Sequence, residues 1–242
     1  MVEFFMNLGI KDAVELLAVS DDTIYRWIRD QGLPCHRVNG QNRFNRVELL
    51  EWATAQGVRV SPTMFATPDT SGAMPSTFSA ALASGGIHYG VPGANKHAAL
   101  AAAIGKMPLP EEMDRDLLLD VILARESLGS TGIGDGIAIP HVRNPIVMRI
   151  VQPLVTLCFL DTPVEFNAVD GKPVHTLFTI VSPTVKAHLH LLARLAFALR
   201  QPEFASLITR QVAREEILAC ASDIEGKAAD AGPRAEEGKA RP

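Results

Sequence analysis

The sequence predicts an α/β protein in two folded pieces: a mixed-sheet α/β sandwich preceded by a small helical domain that carries a β-hairpin. Three observations predict this class. Strand-like and helical segments alternate from residue 77 onward, which is typical of helices packed on a sheet. Two short amphipathic helices and a hairpin signal come before residue 60. Residues 61–76 between them are rich in Pro, Ser, Thr and Gly, which is typical of a linker.

The first piece, residues 1–60, contains three helical segments and one hairpin. KDAVELLA has apolar residues on one helical face, and Ser20 is placed to cap the next helix, DDTIYRWIRDQG. Asn39-Gly40 lies between CHRV and NRFN, which is a strong signal for a two-residue hairpin turn. A third helix, VELLEWATAQG, follows.

The second piece, residues 77–220, alternates strands and helices. We expect strands in GGIHYGV, IAIP, PLVTLCFL and HTLFTIV. We expect helices in KHAALAAAIGK, capped by Asn95, in EEMDRDLLLDVILARE, and in SPTVKAHLHLLARLAFAL, opened by Ser182. Residues 221–242 have little apolar content and mixed charge, which predicts a disordered tail.

Composition bounds the function classes. The chain has 242 residues, 47% of them hydrophobic, and a net charge of -4, which argues against a protein that coats nucleic acid non-specifically. Three distant cysteines imply neither a disulfide framework nor a CxxC metal site. The N-terminus does not look like a signal peptide, and the most apolar run is shorter than the roughly 20 residues of a membrane span. We therefore expect a cytoplasmic protein with no membrane partner and no metal.

The run DDTIYRWIRDQGLPCHRVNGQNRF resembles the excisionase/MerR-like winged helix-turn-helix DNA-binding domain, over residues 8–57. The resemblance implies that the second helix enters the major groove and that the hairpin, the wing, straddles the backbone. It implies DNA contacts from Thr23, Tyr25, Arg26 and Arg29 of the helix and from Arg37, Asn42 and Arg43 of the wing. Arg can bind guanine or phosphate, and Thr or Tyr can reach phosphate oxygens.

The charge of this piece leaves another interpretation open. Residues 1–57 carry six basic and eight acidic side chains. One copy would bind DNA weakly, because phosphate contacts supply most of the affinity, and we expect binding as a homodimer. The alternative is a domain of this fold that binds protein or has lost DNA binding.

The stretch ARESLGSTGIGDGIAIPHVR carries the chemistry of the second piece. It places His141 just after an apolar strand, at the edge of a glycine-rich loop. A neutral histidine there can act as a nucleophile, because its ring has a lone pair near physiological pH. Glycines let the backbone approach a ligand, and free N–H groups can hold an anion. The candidate phosphate-binding residues of this loop are Thr131, Gly132, Gly134 and Gly136.

The same stretch resembles the phosphorylation-site motif of phosphotransferase-system enzyme IIA domains of the fructose/mannitol and nitrogen-regulatory type. The resemblance runs from about Gly85 to about Ile217. It implies that His141 accepts a phosphoryl group from the phosphohistidine of an HPr-like carrier. It also implies that His188 is the second active-site histidine and that Arg125 is the active-site arginine, with no cofactor.

Phosphoryl transfer between two imidazoles depends on positioning and charge stabilisation. We expect His141 to attack in line, Arg125 to spread the charge of the phosphoryl oxygens, and His188 to hydrogen-bond the phosphate or orient the nucleophile. Structural alternatives stay open for two of the residues. Arg125 could pair with a nearby acid such as Glu126 at the surface, and Thr131 could cap its own loop.

These features predict a regulatory phosphocarrier of a bacterial phosphoenolpyruvate-dependent phosphotransferase system, coupled to a DNA-binding domain. Its expected partners are an HPr-like protein, DNA, and a IIB or regulatory target protein. No IIB or membrane IIC segment is recognisable in the sequence, which favours regulation over sugar uptake. Two alternatives are a transcription factor whose IIA-like domain is only a sensor, and a sugar-specific enzyme IIA that passes phosphate to a IIB protein.

Overall fold

The computed structural model of the protein describes residues 8–38, 40–58, 60, 77–142 and 150–230. The predicted linker, residues 61–76, lies outside the described residues, as do residues 231–242 of the predicted tail. Within the described ranges, no helix is long and apolar enough to cross a membrane.

The N-terminal domain has the predicted order of elements. They are α1 (Ile10–Leu17), α2 (Asp21–Asp30), β1 (His36–Val38), β2 (Gln41–Arg43) and α3 (Arg46–Ala55). Helix α2 begins after Ser20 because the Oγ of Ser20 accepts a hydrogen bond from the N–H of Thr23, at 3.3 Å. Strands β1 and β2 pair antiparallel with Val38 opposite Gln41, and Gly40 has the positive φ, 76°, that a tight turn requires. The hairpin is therefore confirmed, although Asn39 lies outside the described residues.

The C-terminal domain is built on a mixed sheet, as predicted; the sheet has five strands, one more than expected, because β4 forms within the predicted glycine-rich loop. Its elements are α4 (Phe78–Gly85), β3 (Ile87–Val91), α5 (Lys96–Lys106), α6 (Arg115–Ser127), β4 (Gly132–Gly134), β5 (Ile137–Ala138), β6 (Leu154–Val164), β7 (Val174–Val181), α7 (Val185–Leu199), α8 (Pro202–Arg210) and α9 (Arg214–Asp230). The strand order is β3-β6-β7-β5-β4. Strand β3 is parallel to β6 and β5 is parallel to β7, whereas β6–β7 and β4–β5 are antiparallel.

Each face of the sheet has its own core, because side chains alternate along a strand. Along β6, Leu157 and Phe159 join a cluster with α4 and with α7 to α9, while Leu154 and Cys158 join a second cluster with α5 and α6. Strands β6 and β7 are buried over most of their length, which explains their nearly continuous apolar sequence.

The first of these two cores continues into the N-terminal domain. Leu49 and Leu50 of α3 are fully buried and belong to the same hydrophobic cluster as Leu192 and Leu195 of α7. Helix α3 contacts α7 and β4 of the C-terminal domain. The two domains are therefore packed together through α3.

The predicted tail boundary is wrong for residues 221–230. Helix α9 continues through Asp230, and Ala221 and Ile224 are buried in the first cluster. Their spacing of three residues forms a short apolar stripe, which is enough to hold a helix whose other positions are polar.

Two helix starts also differ from the prediction. Helix α6 begins at Arg115, four residues later than expected, because Asp114 Oδ1 accepts hydrogen bonds from the first turn, including the N–H of Leu117 at 2.9 Å. Helix α7 is capped by Thr184 rather than by Ser182, since the Oγ1 of Thr184 accepts from the N–H of Ala187. Both are ordinary N-caps placed one to four residues from the predicted position.

Candidate functional site

His141 lies three residues after the end of β5 and forms a parallel bridge with Ile180 of β7. Its ring is 3% exposed. The Nδ1 atom lies 2.7 Å from the carbonyl oxygen of Ile139. Because a carbonyl oxygen only accepts, Nδ1 carries the hydrogen and donates it. This contact fixes the ring and leaves Nε2 as the nitrogen that is available for other contacts.

Arg125 lies in the last turn of α6 and reaches the same nitrogen. Its Nε is 3.3 Å from His141 Nε2, and its Nη1 donates to the carbonyl oxygen of Gly129 at 2.9 Å. The guanidinium is 10% exposed. The alternative pairing of Arg125 with Glu126 at the surface does not form. Glu126 is buried and pairs instead with Lys96, whose Nζ is 3.0 Å from its Oε1.

His188 lies in the first turn of α7, with its ring centroid 4.9 Å from that of His141. Burial, with a smaller contribution from the neighbouring His141, lowers the pKa of His188 to about 3. Neither ring nitrogen has a hydrogen-bond partner among the described residues. The ring is therefore neutral near pH 7, and one of its nitrogens carries a hydrogen that can be donated to an oxygen beside His141.

A fourth side chain enters this group from the other domain. The Oε1 of Glu51, in α3, is 2.8 Å from His141 Nε2, and its Oε2 is 2.8 Å from Arg125 Nη2. The carboxylate is 8% exposed. Glu51 was not among the residues predicted from the sequence, because it lies 90 residues from His141 and belongs to no motif. The one signal in the sequence is its position inside the apolar run LLEWA.

The donor atoms of Glu51, His141 and His188 lie within 4.8 Å of one another, close enough to be considered as metal ligands. Arg125 argues against a cation there, because its fixed positive charge is 2.8 Å from the same carboxylate. A guanidinium and two imidazoles around one point suit an anion better than a metal ion.

The predicted phosphate loop is mostly used for packing in this structure. Thr131 lines the cavity beside His141, but its N–H and hydroxyl both donate to Glu126 Oε2, at 3.0 and 2.6 Å. Gly132 donates its N–H to Ser130 Oγ at 3.0 Å. Gly136 has φ +72°, and a side chain there would collide with the ring of His175. An anion-binding role for the loop, Gly134 included, stays a prediction.

Part of the predicted DNA surface is brought together. One groove is lined by Tyr25, Arg37, Asn42 and Arg43, which we call the DNA face. Tyr25 is 51% exposed. Of the other predicted residues, Arg26 and Arg29 are exposed on α2, and Thr23 is half-buried in the cap, with its hydroxyl 3.0 Å from Ser20 Oγ. Arg29 also pairs with Asp30 at 2.7 Å.

Comparison with known proteins identifies a family for each of the two domains. Residues 84–223 match the family described as "Phosphoenolpyruvate-dependent sugar phosphotransferase system, EIIA 2", which is more than half of the chain. The chain belongs to this family. Residues 8–57 match a second family, described as "Helix-turn-helix domain". The EIIA domain therefore holds His141, Arg125 and His188, and the helix-turn-helix domain contributes Glu51.

The relatives of the EIIA domain are of two kinds. The "Nitrogen regulatory protein" of Pseudomonas aeruginosa is 34% identical over 139 residues, 56% of this chain and 88% of the relative. The "PTS system fructose-specific EIIA component" of Haloferax volcanii is 38% identical over 88 residues, 36% of this chain and 55% of the relative. The crystal structure of "Nitrogen Regulatory Protein IIA-Ntr" from Neisseria meningitidis is similar with a TM-score of 0.52 and 28% identity, covering 59% of this chain and 97% of that one.

Proposed function

We propose that the protein is a regulatory phosphocarrier that accepts a phosphoryl group on His141 from an HPr-like protein and is coupled to a DNA-binding domain. One observation carries the proposal. His141 Nε2 lies 3.3 Å from Arg125 Nε, the neutral ring of His188 lies 4.9 Å from the His141 ring, and Nδ1 donates to the carbonyl oxygen of Ile139. The proposal includes a cytoplasmic location, as expected for a partner of HPr-like carriers.

The transfer exchanges one phosphorus–nitrogen bond for another. The lone pair of His141 Nε2 attacks the phosphorus of the donor's phosphohistidine in line, and the bond from phosphorus to the donor imidazole breaks with its electron pair. Nδ1 keeps its hydrogen and donates it to the carbonyl oxygen of Ile139 throughout. Arg125 donates to the phosphoryl oxygens, and neutral His188 donates one N–H to them. Apart from this exchange of bonds, the protein contributes only the positions and charges of these side chains.

Glu126 positions this machinery without contacting the transferred group. It binds Lys96 through one carboxylate oxygen and Thr131 through the other. Thr131 ends the turn whose Gly129 carbonyl accepts from Arg125. A fixed turn therefore holds the guanidinium at the nucleophile.

Phosphorylation by a reconstituted donor tests the proposal. The full chain is incubated with phosphoenolpyruvate, enzyme I and an HPr-like protein, and its intact mass is measured. We expect an acid-labile gain of one phosphoryl group, absent in His141→Ala and retained in His190→Ala, which changes a histidine of α7 outside the site. If the wild-type chain and the Glu51 variants described below gain nothing with any HPr-like donor, the proposal fails.

The acceptor separates the two alternatives. Rapid passage of phosphate to a sugar-type IIB protein would favour a sugar-specific enzyme IIA, a possibility supported by the fructose-specific relative. Phosphate that stays on the protein and changes DNA binding would favour regulation, as the nitrogen regulatory relatives suggest. A chain that binds DNA but takes no phosphate would be a sensor only.

DNA binding is supported by the DNA face, where two arginines, an asparagine and a tyrosine line one groove. A gel shift at low, stated salt compares the wild-type chain with His141→Asp, which adds negative charge at the phosphorylation site. Binding that changes with the substitution supports coupling. Equal binding by both would separate the DNA-binding role from phosphorylation.

A further inference from the structure

Helix α3 of the helix-turn-helix domain places a carboxylate on the nucleophile of the EIIA domain. Glu51 accepts from Arg125 through one oxygen and contacts His141 Nε2 through the other, both at 2.8 Å. These are the groups that the proposed function assigns to the phosphoryl oxygens and to phosphorus. Glu51 therefore occupies the position of the transferred group, as an anion of smaller charge.

The contact also removes the lone pair that the transfer requires. A carboxylate oxygen only accepts hydrogen bonds, and His141 Nδ1 already donates to Ile139. The 2.8 Å contact between Glu51 and Nε2 therefore requires a proton between them. Arg125 Nε is farther from Nε2, at 3.3 Å. The shorter contact with Glu51 therefore decides that Nε2 shares a proton with the carboxylate. A nitrogen engaged in this way cannot attack phosphorus.

Access to the site is limited by the same helix. The cavity beside His141 has a volume of about 300 Å³ and is lined by both domains, including Glu51 and Trp52 of α3. A protein donor needs a docking surface, and standard interfaces bury roughly 800 Å² per partner. The carrier's phosphohistidine can therefore reach His141 only after α3 moves away.

The neighbours of Glu51 keep the helix in place. Leu50, on one side of it in sequence, is fully buried against the EIIA domain. Trp52, on the other side, is 8% exposed and donates its Nε1–H to the carbonyl oxygen of Gln31 at 3.1 Å, which fixes α3 to the rest of the helix-turn-helix domain. Removing Glu51 from His141 thus requires undocking of α3 rather than a change of one rotamer.

We propose that docking of α3 and phosphorylation of His141 exclude each other, so that Glu51 holds the unphosphorylated site closed and phosphate on His141 releases the helix-turn-helix domain. This inference rests on the proposed function. A phosphoryl group brings about -1.5 to -2 charges to a buried site that already contains a carboxylate, and the two anions repel each other. Phosphorylation of the EIIA domain would thus control the docking of the helix-turn-helix domain.

The rate of phosphorylation tests the inference in the full chain. Glu51→Ala removes the carboxylate, and Glu51→Gln keeps its shape but removes its charge. Because the phosphorylated HPr-like donor reacts only with chains whose α3 is undocked, the initial rate should follow the undocked fraction. Coupling of the usual size then predicts a rise of roughly 5- to 150-fold in Glu51→Ala. A smaller rise is expected in Glu51→Gln, because an amide N–H can donate to Nε2 and still occupy the site.

Glu48→Gln is the matched control. Glu48 is a second buried carboxylate of α3, and it pairs with His36 at 2.6 Å. Its variant should phosphorylate at the wild-type rate. If both Glu51 variants also react at the wild-type rate, the inference is overturned while the proposed function survives. If no variant is phosphorylated at all, the proposed function fails and the inference with it.

Tryptophan fluorescence gives a second readout that does not depend on the rate. The chain has two tryptophans, Trp27 and Trp52, both in the helix-turn-helix domain, so Trp27→Phe leaves Trp52 as the reporter. Trp52 lines the cavity between the two domains, so undocking should expose it to more water, and phosphorylation should shift its emission to the red. An unchanged spectrum at full phosphorylation would show that α3 stays docked and would overturn the inference.

Discussion

The helix-turn-helix domain has two faces of opposite character. The DNA face presents Arg37 and Tyr25, both exposed, with Arg43 half-buried beside them. The docking face, formed by Leu50, Glu51 and Thr54 of α3, is closed against the EIIA domain. The two faces account for the net negative charge of a domain that is predicted to bind DNA. One carboxylate of the acidic surplus, Glu51, faces His141, so the net charge of the whole domain understates the positive charge beside the groove lined by Arg37 and Arg43.

Burial should make the docking face far more sensitive to truncation than the DNA face. Leu50→Ala removes a fully buried side chain and should lower the free energy of unfolding by about 2–5 kcal/mol. Tyr25→Ala, on the exposed face, should change it by about 0.5 kcal/mol or less. Chemical denaturation of the full chain measures both. Equal effects would break the comparison.

Acid should weaken the protein through the site that the docking face covers. The pKa of His188 is lowered from 6.5 to about 3 by burial, so the unfolded chain binds a proton in this window and the folded chain does not. The free energy of unfolding therefore falls as pH drops from 6.5 toward 3, by up to about 1.4 kcal/mol per pH unit from this residue. His188→Gln should reduce the slope measured by denaturation at pH 6 and pH 5. A slope that survives the substitution would show that another group causes it.

The DNA face should respond in affinity rather than in stability. Arg37→Ala should weaken binding to all sequences alike and reduce the salt dependence of the affinity by about one unit of slope, if Arg37 contacts phosphate. Its free energy of unfolding should remain near that of the wild type, because the side chain is exposed. Glu51→Ala serves as the opposite control, with faster phosphorylation and an intact DNA face. Loss of sequence preference in Arg37→Ala would indicate a base contact instead.

Much of the molecule could be predicted from local patterns. The hairpin, the strands and most helices follow from turn residues and apolar periodicity, because these report contacts within a few residues. The histidines and the arginine of the site were assigned through a resemblance, and the structure brings Arg125 and His188 to His141. Whether they transfer phosphate remains a prediction.

The remaining features depend on contacts between distant segments. Glu51 meets His141 across 90 positions, and no periodicity encodes a contact between two domains. Thr131 was expected to hold phosphate, yet the buried Glu126 takes both of its donors. Ala221 and Ile224 bury a stripe too short to stand out among charged neighbours. In each case the outcome depends on a contact with another element of the structure, which local sequence patterns do not report.

The tether between His141 Nδ1 and the Ile139 carbonyl has a further chemical consequence. Histidine can be phosphorylated on either ring nitrogen, which gives two regioisomers with different reactivity. With one nitrogen reserved for the backbone, phosphorylation of His141 would yield a single product, the tele isomer. Reagents that discriminate between the isomers should therefore recognise this protein in only one form.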